Sequence, residues 1–179
     1  MRTPTDILRD EHAVILRGLD IVEAAARHAM DGHDLPEAWW ADVLAWFRAF
    51  AEGNHHGKEE GALFPAMVKA GAPAEGGPID VMLEEHAEGR ALLQAMAGSE
   101  STGRARAARR YAQLLRDHID KEHDVVFPLA EAILDAEALD WVAHQFDTVE
   151  AEVGGGASLD IAQAAVGVLA KALAREAHA

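Results

Sequence analysis

The 179-residue chain contains no cysteine. Disulfides, thiolate metal sites, iron-sulfur clusters and cysteine nucleophiles are excluded together, so any metal chemistry must use nitrogen and oxygen donors. Positive charge is scarce: 16 Lys and Arg stand against 31 Asp and Glu, a formal net charge of −15. That balance speaks against a phosphate-tracking surface, and the expectation is no nucleic-acid partner. No apolar run approaches the ~18 residues of a membrane span, and Met1-Arg2-Thr3-Pro4-Thr5-Asp6 leads straight into charge, so the expected protein is soluble, cytoplasmic and without a membrane partner. There are only six prolines and one tyrosine, and no segment alternates apolar and polar residues over the length of a strand. The class is all-α. What the chain does have in number is histidine, ten of them.

Turn and capping signals divide the chain. Thr3, Pro4 and Asp6 make a helix start and Asp31-Gly32 a stop; between them Leu8, Ile15, Leu16, Leu19, Val22 and Ala26 form one apolar stripe. A second helix begins at Asp34-Leu35-Pro36-Glu37, a capping-box pattern, and runs to about Gly71 with Trp39, Trp40, Trp46, Phe47 and Phe50 along it. After a loop rich in Gly and Pro, a third runs from Pro78 to Gly98 with a stripe of Met82, His86, Gly89, Leu93 and Met96. The fourth starts near Ser101-Thr102 and reaches about Ala136, with Tyr111, Leu114, Leu115, Ile119, Val125, Val126 and Leu129 at helical spacing. These predict an antiparallel four-helix up-and-down bundle over residues 1–134. Residues 135–179 read as a C-terminal helical extension: one helix from Asp135 to Val153, a Gly154-Gly155-Gly156 hinge, and an Ala-rich helix capped by Ser158. Both are expected to pack across the bundle and to carry no chemistry.

The histidines fall on an internal repeat. Residues 55–65 and 118–128 both read His-x-x-Lys-Glu-x-x-x-x-Phe-Pro, and each is preceded, one helix earlier, by a matching piece: Leu8-Arg9-Asp10-Glu11-His12 and Met82-Leu83-Glu84-Glu85-His86. Residues four apart on a helix have Cβ atoms about 5 to 6 Å apart, so His118 and Glu122 can reach one ion. Both fall within the apolar arc of their helix, as do His12 and His86 on theirs, whereas His123 points away. An inward carboxylate beside an inward imidazole is costly unless compensated, and these stripes carry no Lys or Arg; a cation is the natural partner. On the second helix the aromatic arc is rotated from the arc of Ala62 and Ala66. The repeat selects His55 with Glu59 over His56 with Glu60, and Gly53 is a place for the helix to bulge. Four imidazoles and two carboxylates exceed what one zinc takes. Two i,i+4 pairs on different helices suit two metals bridged by carboxylates, with iron or manganese fitting the donors ahead of zinc.

With His12, then His55-x-x-x-Glu59 in His-His-Gly-Lys-Glu-Glu followed by Leu63-Phe64-Pro65, then His86, then His118-x-x-x-Glu122, the chain resembles the hemerythrin family, in its branch of HHE cation-binding domains. The resemblance implies a non-heme di-iron centre: two iron ions bridged by Glu59 and Glu122, with His12, His55, His86 and His118 as terminal ligands. It departs at one point. Oxygen-carrying hemerythrins have a His-x-x-x-His pair on the third helix, and here the residues four before and four after His86 are Met82 and Arg90. Solvent, His56, Glu60 or Tyr111 are the candidates to fill that gap. Otherwise Tyr111 and the second-helix aromatics are core, His123 and Glu60 belong to an outer layer or to solvent, and His28, His33, His144 and His178 have no role. The implied function is binding dioxygen or a related small ligand for sensing, storage or delivery. The alternatives are turnover of peroxide or nitric oxide at the metals, and iron storage or sensing; any signalling output would need a protein partner.

Overall fold

Six helices carry the fold of the computed structural model, which describes residues 2–154 and 157–176: α1 (Pro4–Met30), α2 (residues 37–69), α3 (Pro78–Gly98), α4 (residues 101–133), α5 (Ala136–Val153) and α6 (Leu159–Glu176). Gly155 and Gly156 of the expected hinge, and His178, lie outside the described residues. The start of α1 is the expected reciprocal cap: Thr3 Oγ1 accepts from the Asp6 amide at 3.2 Å and the Asp6 carboxylate accepts from the Thr3 amide at 3.0 Å. The capping box expected at Asp34 to Glu37 does not form. Pro36 itself takes the cap position, so Asp34 lies two residues too early and accepts instead from the Leu35 amide and from Trp40 Nε1, at 2.9 and 3.0 Å. Glu37 turns to the buried Arg104, which grips it with two nitrogens.

The helices α2 and α4 are not regular, and their sequence says why. Each contains a proline, Pro65 or Pro128, that has no N–H and whose ring displaces the carbonyl four residues back. The chain answers with a π turn immediately before it: the Phe64 amide bonds to the Glu59 carbonyl and the Phe127 amide to the Glu122 carbonyl, five residues back in each case. Upstream, α2 is also π-helical from Phe47 to His56, around Gly53, where a bulge was expected. These wider turns bring the aromatic arc of α2 and its later apolar arc onto one interior. They also correct one expectation on α4: Val126 is buried, but Val125 is 48 % exposed.

The four helices α1 to α4 form the bundle and enclose two apolar layers. One contains Ile15, Leu19, Val22, Phe47, Phe50, Leu93, Tyr111, Leu115 and Ile119; the other contains Leu8, Leu63, Phe64, Met67, Met82, Val126 and Phe127. On every helix the inward histidine lies between the residues of the two layers. A polar plane thus crosses the bundle, closed above and below by hydrocarbon. The C-terminal helices pack outside. The indole N–H groups of Trp39 and Trp46 donate to the Leu169 and Ala162 carbonyls of α6, while Val142 and Phe146 of α5 join the second layer. Among the described residues no helix is long and apolar enough to cross a membrane.

Candidate metal centre

All six residues expected to line the site, His12, His55, Glu59, His86, His118 and Glu122, meet in the polar plane with at most 1 % exposure. A seventh joins them. His56 lies with Glu59, His86 and His118 in one group whose potential ligand atoms are all within 4.8 Å of one another; His12, His55, Glu59 and Glu122 form a second such group. His56 stacks on His86 with ring centroids 3.8 Å apart. Of the candidates for the gap left by Met82 and Arg90, His56 is the one placed among the donors. Tyr111 is fully buried against Phe47 and belongs to neither group, although its hydroxyl has no hydrogen-bond partner.

The two carboxylates each face both groups. Glu59 presents Oε1 to His55 Nε2 at 3.5 Å and Oε2 to His86 Nε2 at 3.4 Å. Glu122 presents Oε2 to His12 Nε2 at 3.0 Å and Oε1 to His118 Nε2 at 3.4 Å. Yet His12 Nε2, His55 Nε2 and all four of these carboxylate oxygens are buried without a hydrogen bond. Six such atoms in one buried cluster would cost several kcal/mol apiece by the price of unpaired buried polar groups (roughly 2–7 each). A native fold keeps such a cluster only with a compensating partner.

Outside the plane, each ring is held from behind. His55 Nδ1 lies 2.9 Å from Glu11, His86 Nδ1 2.8 Å from Glu60, and His118 Nδ1 3.0 Å from Glu85. A carboxylate that accepts from Nδ1–H favours the tautomer whose Nε2 lone pair is turned to the cluster, the one a metal needs. His12 Nδ1 is held by His123 Nε2 at 2.9 Å, so His123 does not point away as its position on a regular helix suggests; the π turn over Glu122–Val126 swings it back. His56 Nδ1 stands 3.2 Å from Glu52, which also binds Arg90.

Protonation follows the surroundings in this metal-free arrangement. Burial, aided by neighbouring imidazoles, pushes His12 and His56 well below the usual histidine range. Burial also works against His55, His86 and His118, but nearby carboxylates outweigh it; Glu59 and Glu60 hold His86 up at about 9. Burial raises the Glu52 carboxyl to about 7 despite Arg90.

Several of these outer residues were not singled out from the sequence, and the expectation of no cation near the stripes was wrong. Lys58 is 1 % exposed and holds Glu11, itself 2 % exposed. The repeat carried the signal: Lys58 matches Lys121 and Glu11 matches Glu85, and Lys121 holds Glu85 as Lys58 holds Glu11. From the C-terminal extension, Glu150 of α5 reaches Lys58 at 3.2 Å. His33 and His144, for which no role was expected, are exposed.

The chain matches no curated protein and no solved structure. A family model does match, that of the hemerythrin HHE cation binding domain, over residues 3–130, which takes in all five clustered histidines and both carboxylates. The chain belongs to the hemerythrin HHE cation-binding domain family.

Proposed function

We propose that the cluster holds two iron ions, one in each donor group, and that the pair binds dioxygen or a related small ligand for sensing, storage or delivery. The observation that carries this reading is the set of six buried, unpartnered donor atoms at the centre of the bundle. Five imidazoles and two carboxylates fit two ions of intermediate hardness better than one tetrahedral zinc, and manganese is the next candidate. Glu59 and Glu122, each with one oxygen toward each group, are suited to bridge the ions. His56, His86 and His118 would complete one ion, and His12 and His55 the other. The second group has one imidazole fewer, which leaves room for an exogenous ligand. When bound, iron supplies redox-coupled binding of a small diatomic or peroxide-like ligand. The chain's own part is to fix the donors by their Nδ1 partners and to keep water out with the two apolar layers.

The test is metal content per chain together with the visible spectrum of the purified protein, reduced without oxygen and then exposed to air. The expected result is about two irons and a charge-transfer absorption that appears with oxygen and reverses on its removal, consistent with one ion per donor group. Irreversible change with turnover of added peroxide or nitric oxide would move the reading to an enzyme. Reversible unfolding on iron removal would move it to an iron-sensing module. A single zinc or no metal would overturn it.

A further inference from the structure

Resting on the metal-site reading above, we infer that α5, which lies beyond the matched family segment, is a working part of the centre: its Glu150 is a positioning residue that acts on His55 through Lys58 and Glu11. The chain of contacts is continuous. Glu150 Oε2 lies 3.2 Å from Lys58 Nζ, Lys58 holds Glu11 Oε1, and Glu11 Oε2 meets His55 Nδ1 at 2.9 Å. Glu11 also accepts from Asn54 Nδ2 at 3.0 Å, so the carboxylate that orients His55 has every oxygen engaged. A second group of α5 meets the same ammonium, the Phe146 ring at 5.8 Å.

The internal repeat supplies the control. Lys121, Glu85 and His118 form the matching chain of contacts in the other half, but there Lys121 is 44 % exposed and no residue of α5 reaches it, whereas the side chain of Lys58 is 2 % exposed. The sequence is altered where α5 seats. Gly53, Gly57 and Gly61 repeat every four residues along one face of α2; a Cβ on Gly53 would come 3.3 Å from Val153 and one on Gly57 3.2 Å from Val149, with Gly61 facing Val149 as well. The matching positions of the second repeat, Arg116, Asp120 and Asp124, carry charged side chains, and both aspartates are exposed. One half of the repeat is thus cut away to receive a helix, and that helix brings a carboxylate to a buried lysine. An ammonium buried with one carboxylate is free to swing toward it; held between two, it fixes Glu11 and with it the direction in which His55 presents Nε2.

The experiment uses the full chain with Glu150→Ala, Glu150→Gln and, as a control on the same turn, Glu152→Ala. Two readouts are taken: the nitrogen chemical shifts of the His55 ring in the metal-free protein, and iron titration of each variant. Glu150→Ala is expected to move the His55 nitrogens and weaken one of the two iron sites by roughly tenfold or more, the range seen when an outer partner of a ligand is removed. Glu150→Gln, which still accepts from Lys58, restores most of the shift, and Glu152→Ala changes neither readout. His55 shifts and iron binding unchanged in Glu150→Ala would overturn the inference, as would equal effects at Glu152. If the wild-type chain takes up no iron, the metal reading fails by itself; the ring shifts still decide whether Glu150 positions His55.

Discussion

The two halves of the bundle are built on one pattern, yet they end up unequal. In both, a Lys-Glu pair holds the Nδ1 of the histidine that begins His-x-x-x-Glu: Lys58 and Glu11 on His55, Lys121 and Glu85 on His118. In both, the residue after the glutamate reaches across to the histidine of the other half, Glu60 to His86 and His123 to His12. The inequality comes from few positions. His56 faces the cluster where the second repeat has Ile119, which joins the apolar layer instead. A repeated supersecondary unit therefore supplies two similar donor sets, and a single difference, His56 against Ile119, makes one group richer in imidazole than the other.

Breaking what the halves share should have the largest effect. Glu59 belongs to both groups, so Glu59→Ala is expected to abolish uptake of both ions, read as metal per chain. Loss of one ion only would show that the carboxylate does not bridge. Next comes the residue that makes the groups differ: His56→Ala should weaken binding of the ion in its own group, read by metal titration, because that group falls from three imidazoles to the two of the other. Unchanged affinity at both sites would return His56 to an outer role.

The two Lys-Glu pairs invite a direct comparison by thermal or denaturant unfolding of the metal-free protein. Glu11→Ala takes a buried partner from Lys58, Asn54 and His55 at once and should cost about 3–5 kcal/mol. Glu85→Ala leaves Lys121 free to turn to solvent, and should cost at most about 1 kcal/mol. Equal losses would mean that burial by α5 does not distinguish the pairs.

Proton competition is a smaller effect. His86, held up at about 9 against an ordinary 6.5, stabilises the metal-free fold fully below pH 6.5, and that contribution is lost as pH rises through 9. A metal needs the neutral ring, so over the same interval the proton's competition fades and affinity rises. Calorimetric iron or manganese titrations at pH 7 and pH 9, with unfolding of the metal-free form alongside, should move in opposite directions; parallel movement would remove His86 as the cause. At the bottom of the scale, exposed His144→Ala should leave metal content and melting temperature unchanged.

Much of this was legible in the chain. The bundle followed from stripes at helical spacing, and six of the seven residues of the cluster from a repeat whose histidines and glutamates fall on inward faces, since spacing along a helix fixes which side chains share a face. The limits of α1 and α3 followed from caps and proline positions for the same local reason. What spacing could not give was the effect of the π turns, before Pro65 and Pro128 and around Gly53, which change the angle between successive side chains. That is why His56 enters the cluster, His123 swings back to His12, and Val125 faces out. Nor could it give the partners of charges from distant segments. Lys58, read on its own, is an ordinary charge on a helix; only the packing of α1 and α5 against α2 buries it between Glu11 and Glu150. Local sequence determined the helices and the faces on which donors lie, because both depend on bonds and neighbours within a few residues. Tertiary structure decided which donors meet and what holds each ring, because those contacts join different helices, residues 26 to 111 positions apart.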